Sequence, residues 1–104
     1  MPVETLRRKL ETFALTDFEV EVLLAVSSIK KGEVKSYKQI AQEIKRPNAY
    51  RAVGNALAKN PMPIKIPCHR VIMSNGSLGK YSYGGVKKKM KLLISESYAH
   101  RERE

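Results

Sequence analysis

The stretch SYKQIAQEIKRPNAYRAVGNALAKNP, residues 36–61, decides the fold. Ser36 can cap a short helix running to Ile44, whose apolar stripe is Tyr37, Ile40, Ala41 and Ile44. Pro47 then stops it, because the residue before a proline is biased away from helical backbone. Asn48 can cap a second helix from Ala49 to about Lys59, with Ala52, Val53, Ala56 and Leu57 turned inward. Arg51, Asn55 and Lys59 fall on its outer face, and Asn60 and Pro61 close it. Two short helices joined by a tight turn read as a helix-turn-helix. An ordinary helical hairpin in a small bundle has the same pattern.

Upstream, VETLRRKLETF places apolar residues at 3, 6, 10 and 13, a helical spacing with charge elsewhere. TDFE (16–19) is a capping-box pattern, Thr16 answered by Glu19, opening a helix with Val20, Leu23, Leu24 and Val26 toward a core. The glycine of KKGEV (30–34) is expected to end it. Downstream, PMPIKIPCHRVIMSNG (61–76) alternates apolar residues among prolines and closes on an Asn-Gly turn. It reads as extended chain that the prolines keep out of a central strand. GSLGKYSYGG (76–85) is a glycine- and tyrosine-rich loop without the GK[ST] ending of a phosphate-cradling loop. The segment from Val86 onward reads as a last helix with Met90, Leu93 and Ile94 on one side. The whole reads as one domain over 1–104, with a helical extension over 1–17 and a charged tail over 97–104.

Twenty Lys and Arg against ten Asp and Glu give a net charge of +10 and a pI near 9.9. Such a field on a small body favours polyanions, nucleic acid first, and supports the DNA-binding reading of the helix pair. No apolar run approaches the length of a membrane span. The single cysteine, Cys68, cannot form an internal disulfide, and with His69 and a distant His100 it makes no zinc site. A reducing, cytoplasmic setting is expected.

Cys68 is the chemical candidate. A lone cysteine is usually a small buried hydrophobe. Here it follows a proline-stiffened segment, and His69 and Arg70 supply a positive setting that would lower a thiol pKa. Neighbours on a strand point to opposite faces, so His69 would reach the thiol only through a tight turn or one bridging water. A carboxylate would have to orient the imidazole, and Glu96 on the last helix is the candidate. A thiol nucleophile on a DNA-binding scaffold suggests attack on an electrophilic carbon presented by the DNA.

IPCHRVI, preceded by RAVGNALAKNPMPI and followed by GKYSYGG and KLLISE, resembles the O6-alkylguanine-DNA alkyltransferases in one continuous order from about Phe18 to Glu96. The resemblance implies a mainly α, winged-helix-like domain with a helix-turn-helix and a short extended segment bearing the cysteine. It implies irreversible, single-turnover transfer of the alkyl group from O6-alkylguanine in duplex DNA to Cys68, by a monomer needing neither metal nor soluble cofactor. By position, His69 would act as base through a water, oriented by Glu96, and Asn60 would brace the segment before the cysteine. Tyr37 would protonate guanine N3. Arg51 would fill the stack left by the flipped base. Ser36, Ala52, Gly54 and Asn55 would face the DNA. Leu57, Tyr81, Ser82 and the backbone at Cys68 and Val71 would line the guanine pocket.

This chain departs from the family pattern in places. Members commonly carry an N-terminal domain, whereas about seventeen residues precede the matched core here. RAVGN stands where many members have RAVGG. KYSYGG carries Tyr83 where some have glycine, in a loop that reads as one residue longer. Two alternatives stand beside the transferase: the related lesion-binding proteins that replace the acceptor cysteine, commonly with tryptophan, and a plain helix-turn-helix DNA-binding module.

Overall fold

The computed structural model describes residues 3–96. The charged tail expected over 97–104 and His100 lie outside them. The elements run α1 (Val3–Glu11), α2 (Asp17–Ser27), β1 (Lys35–Ser36), α3 (Tyr37–Glu43) and α4 (Tyr50–Ala58), then a 3-10 turn (Cys68–Arg70), β2 (Val71–Ile72) and α5 (Gly85–Ser95). The architecture is mainly helical, as expected. Among the described residues no helix is long and apolar enough to cross a membrane.

The capping boxes form as the sequence predicts. Thr16 Oγ1 accepts from the Glu19 N–H while Glu19 accepts from the Thr16 N–H; Ser36 and Gln39 repeat the exchange at the start of α3. Glu19 also meets Lys59 at 2.7 Å, tying the start of α2 to the end of α4. Val22 is fully buried beside Val20, Leu23, Leu24 and Val26, so α2 is wrapped by core on more sides than one stripe would need. It packs on α1, α3 and α4.

Several local expectations are corrected. In α1 only Leu6 and Leu10 are buried; Val3 and Phe13, at the two ends of the stripe, are exposed. α2 ends at Ser27, capped by the Ser28 N–H, and Gly32 serves the following turn at φ +87°. α3 ends before Pro47 is reached: Lys45 takes φ +62°, its N–H donates to Gln42 O, and the Arg46 N–H donates to Ala41 O. That is a Schellman closure with a lysine at the left-handed position. α4 starts at Tyr50 with Ala49 as its cap and no side-chain capping bond, so Asn48 does not play that part. Ala52 is exposed rather than inward; Val53, Ala56 and Leu57 alone carry the buried face. On α5, Leu93 is buried and Met90 half-buried, but Ile94 is 47% exposed.

The sheet is minimal and decides the site. β1 and β2 are parallel, with Lys35 opposite Val71 and Ser36 opposite Ile72. Because Ser36 also caps α3, this pairing sets Tyr37 beside the chain that has just left Cys68–Arg70. The cysteine itself is not on extended chain. Cys68–Arg70 is a turn of 3-10 helix, opened by the Cys68 N–H donating to Ile66 O at 2.8 Å and closed by Arg70 N–H to Pro67 O at 2.9 Å. Nor is the chain before it extended: residues 61–66 bend back, with the Ile66 N–H donating to Met62 O at 2.9 Å and Ile64 at φ +75°, and Pro67 leads into the 3-10 turn.

Candidate active site

Cys68 and His69 share that turn, and both are buried, Cys68 at 5% exposure and His69 at 0%. Asn60 holds the approach to them. Its Nδ2 donates to Ile66 O at 2.9 Å and its Oδ1 accepts the Met62 N–H at 2.8 Å, so one buried amide spans the PMPIKIP bend. Ile66 O therefore accepts from both Asn60 and Cys68.

Behind the turn, Glu96 caps the end of α5 and collects three bonds. His69 Nε2 lies 2.9 Å from Oε2, Arg70 Nε donates to Oε1 at 2.8 Å, and Arg70 Nη2 donates to Oε2 at 2.9 Å. Arg70 Nη1 continues to Ile29 O at 2.8 Å, fastening the group to the end of α2. The Arg70 guanidinium, first, and then His69 hold the Glu96 carboxyl below its usual range. A carboxylate can only accept, so His69 Nε2 carries the hydrogen and Nδ1 the lone pair. Burial pushes His69 below its ordinary value, against the pull of Glu96, so the imidazole is neutral at pH 7. Nδ1 is buried and makes no hydrogen bond to a described protein atom.

The thiol does not behave as its neighbours in sequence suggest. Burial pushes Cys68 up, and this outweighs the opposing effects of Asn60 and Lys89. The expected depression by His69 and Arg70 is absent because His69 is neutral and the Arg70 charge is spent on Glu96. The resting group is a thiol.

Cys68 lies in the lining of a cavity of about 750 Å³. Its walls are Tyr37 and Lys38 of α3, Tyr50, Arg51, Gly54, Asn55, Leu57 and Ala58 of α4, and Met73, Ser74, Gly79, Lys80, Tyr81 and Ser82 from the chain after β2. Of the site residues expected from sequence, eight meet here: Tyr37, Arg51, Gly54, Asn55, Leu57, Cys68, Tyr81 and Ser82. Ser36 and Ala52 lie outside the lining, Ser36 being committed to the cap of α3. Val71 is buried on β2 and does not reach it. His69, Asn60 and Glu96 stand behind it. The charged side chains of the lining, Lys38, Arg51 and Lys80, are all cations, and all three are exposed.

Tyr37 is half-buried and pushed upward by burial, so its hydroxyl keeps its proton. A Cβ on Gly79 would come within 3.2 Å of that hydroxyl and push it by a few tenths of an ångström, and Gly79 has φ +73°, a conformation that favours glycine. A Cβ on Gly54 would meet the Tyr37 ring only at ordinary contact distance, 3.7 Å.

Two residues escaped the sequence reading. Lys89 sits among charged neighbours in VKKKMK, yet it is fully buried, with Nζ donating to Leu78 O and Lys80 O and lying 5.8 Å from the centre of the Tyr37 ring. Burial lowers it to about 8. A charged run on a helix gives no sign of which lysine turns inward; the only hint was that position 89 shares a face with Leu93 and Val86. Arg70, read as a general positive neighbour, is the main partner of Glu96.

The chain is similar to known proteins throughout this region. It is 53% identical over 74 residues to the methylated-DNA–protein-cysteine methyltransferase of Cricetulus griseus, covering 71% of this chain and 35% of the relative. It is 46% identical over 95 residues to the protein of the same name from Methanosarcina barkeri, covering 86% and 60%. The chain thus spans roughly a third to three fifths of these curated relatives. Among solved structures, Mycobacterium tuberculosis OGT in complex with DNA superposes with a TM-score of 0.77 at 46% identity, covering 79% of this chain and 50% of that one. S. pombe Atl1, in complex with damaged DNA containing O6-carboxymethylguanine, superposes at 0.69 with 31% identity, covering 82% and 80%. Residues 17–98 match the family model described as the 6-O-methylguanine DNA methyltransferase DNA-binding domain, and the chain belongs to that family.

Proposed function

We propose that this chain repairs duplex DNA by moving the alkyl group of O6-alkylguanine onto Cys68, once per molecule. The observation that carries the reading is the cavity itself: a buried thiol in its lining and a rim whose charged side chains are cations only. A base inside a duplex cannot reach a buried sulfur, so the lesion must leave the stack. On this reading α4 lies against the DNA, Arg51 fills the space the base leaves, and Lys38 and Lys80 meet phosphates.

The chemistry follows from the protonation states. The Cys68 proton passes through a water to Nδ1 of neutral His69, and Glu96 stabilises the imidazolium formed. The sulfur attacks the alkyl carbon in line with the bond to O6. The new C–S bond forms, the C–O6 bond breaks, and its electron pair returns to the purine. Tyr37, protonated and beside the buried charge of Lys89, gives its proton to guanine N3, so the base leaves neutral. One proton leaves sulfur and one reaches guanine. The product is S-alkylcysteine, which has no way back to thiol within this scheme. The working compartment that goes with a DNA substrate and a free thiol is the cytoplasm, at the nucleoid in a prokaryotic cell, and the working unit is a monomer.

Lesion binding without transfer is the rival, favoured by the likeness to S. pombe Atl1 over 80% of that chain. Intact-protein mass spectrometry after incubation with a duplex carrying one O6-methylguanine separates the two. A single methyl gain on Cys68, lost in Cys68→Ala while binding to the modified duplex persists, is the expected result. Retention of the modified duplex with no mass gain would replace the transferase by a lesion binder.

A further inference from the structure

We propose that Tyr83 is a positioning residue that latches the 76–85 loop onto the C-terminal end of α4 and so fixes the spacing of the cavity walls over Cys68. The inference rests on the proposed alkyl transfer and adds to it a residue that does not line the cavity. The Tyr83 hydroxyl donates to the backbone carbonyl of Asn60 and, at 3.4 Å, to that of Ala58. Carbonyls at the end of a helix lack intrahelical partners, so a phenol there satisfies groups that would otherwise need water. Among the described residues these are the only hydrogen bonds joining the loop to residues 50–60.

The ring does as much as the hydroxyl. Tyr83 stands edge-on to Tyr81 with centroids 5.9 Å apart, and Tyr81 stands edge-on to His69 at 6.4 Å. Asn60 in turn holds Ile66 O, which accepts the Cys68 N–H. The contacts close a circuit: Cys68 and His69 through the chain, then Tyr81, Tyr83, Asn60 and Ile66, and back to Cys68. Tyr83 is the link that joins the loop side of this circuit to the helix side. Leu57 and Ala58 form one wall of the cavity, and Tyr81 and Ser82 another. Their separation is set where Tyr83 reaches Ala58 and Asn60. In-line displacement on carbon is sensitive to misalignment of this kind.

The test uses Tyr83→Phe, which keeps the ring and removes the donor. The single-turnover methyl-transfer rate at saturating O6-methylguanine duplex should fall about 5-fold, the worth of one ordinary hydrogen bond. Affinity for the same duplex, measured with Cys68→Ala in both backgrounds, should not change. Amide hydrogen exchange over residues 79–85 should quicken. An unchanged rate, unchanged exchange, or a loss of affinity equal to the loss of rate would each overturn the latch. Should the wild-type protein transfer nothing, hydrogen exchange still decides: faster exchange in Tyr83→Phe keeps the latch and sinks only the transferase, and unchanged exchange overturns the latch.

Discussion

The α3–α4 pair and the Cys68–Glu96 group are built on opposite plans. The caps and the turn of the helix pair are made by bonds between residues a few positions apart, and its functional candidates, Arg51 and Asn55, stand in solvent. The cysteine group is held by bonds that span 26, 27 and 41 residues, and its members are buried or nearly so. The exposed candidates of the helix pair can lose a side chain with little disturbance to the fold. In the cysteine group, each polar group is present to satisfy another, and removal leaves a buried partner stranded.

The largest expected effect tests that contrast directly. Glu96→Ala leaves Arg70 and fully buried His69 without their shared acceptor, and should cost about 3 kcal/mol of stability. Urea denaturation at pH 7 reads it, and a loss below about 1 kcal/mol would mean that solvent replaces the carboxylate and the group is not the tie it looks like. Arg51→Ala is the counterpart. Its side chain is exposed at the rim of the cavity, so stability should move by no more than about 0.5 kcal/mol. Preference for an O6-methylguanine duplex over its undamaged twin, measured in the Cys68→Ala background, should drop about tenfold. A large stability loss at Arg51 would erase the distinction between the two regions.

The same contrast explains what could be read from sequence. Ser36, Ile40 and Ala41 were legible because capping and a 3.6-residue period are local rules, and so was the capping box at Thr16 and Glu19. Cys68 and His69 were legible as a thiol beside a base, and Glu96 could be named as the carboxylate to orient the imidazole, but nothing local links position 69 to position 96, and the resemblance to a known family is what supported joining the three. Lys89 was invisible: its inward turn depends on the carbonyls of Leu78 and Lys80, which a loop of unpredictable path brings to it. The 3-10 turn at Cys68 was missed because alternating apolar residues between prolines fit extended chain equally well. Asn48 and Lys45 show the limit even of local rules. The turn between α3 and α4 closes through backbone bonds that take a lysine where glycine would be ordinary, and that geometry leaves Asn48 one residue too early to cap.

Acid should separate the regions again, by a smaller amount. Folding lowers the pKa of His69 through burial, with Glu96 pulling the other way and Arg70 and Lys89 adding to the depression. The unfolded chain therefore binds a proton that the folded chain resists. Stability is full above the ordinary histidine value of 6.5 and declines as pH falls through it toward the folded pKa. Glu96, depressed mainly by Arg70, adds a second decline below its ordinary 4.5. Denaturation midpoints at pH 7.5 and 5.5 should therefore differ in the wild type and converge in His69→Gln. An equal difference in both proteins would assign the acid sensitivity to other groups.

The smallest effect should carry the opposite sign, and it belongs to the locally built region. Lys45 holds φ +62° to let the Arg46 N–H reach Ala41 O and its own N–H reach Gln42 O. A side chain in that conformation costs about 1 kcal/mol, which glycine does not pay. Glycine also loses more freedom on folding, and that takes back roughly half the gain. Lys45→Gly should therefore stabilise the protein by about 0.5 kcal/mol, a rise of about 3 °C in Tm for a domain of this size. Lys45→Ala keeps the strain and should show no rise. If both variants lose stability alike, the lysine side chain itself supports the turn, and the end of α3 is held by contacts beyond its backbone bonds. If only glycine gains, the turn between α3 and α4 is governed by backbone conformation alone. The helix pair would then be a unit whose parts add independently, unlike the group around Cys68, where removing Glu96 strands two partners at once.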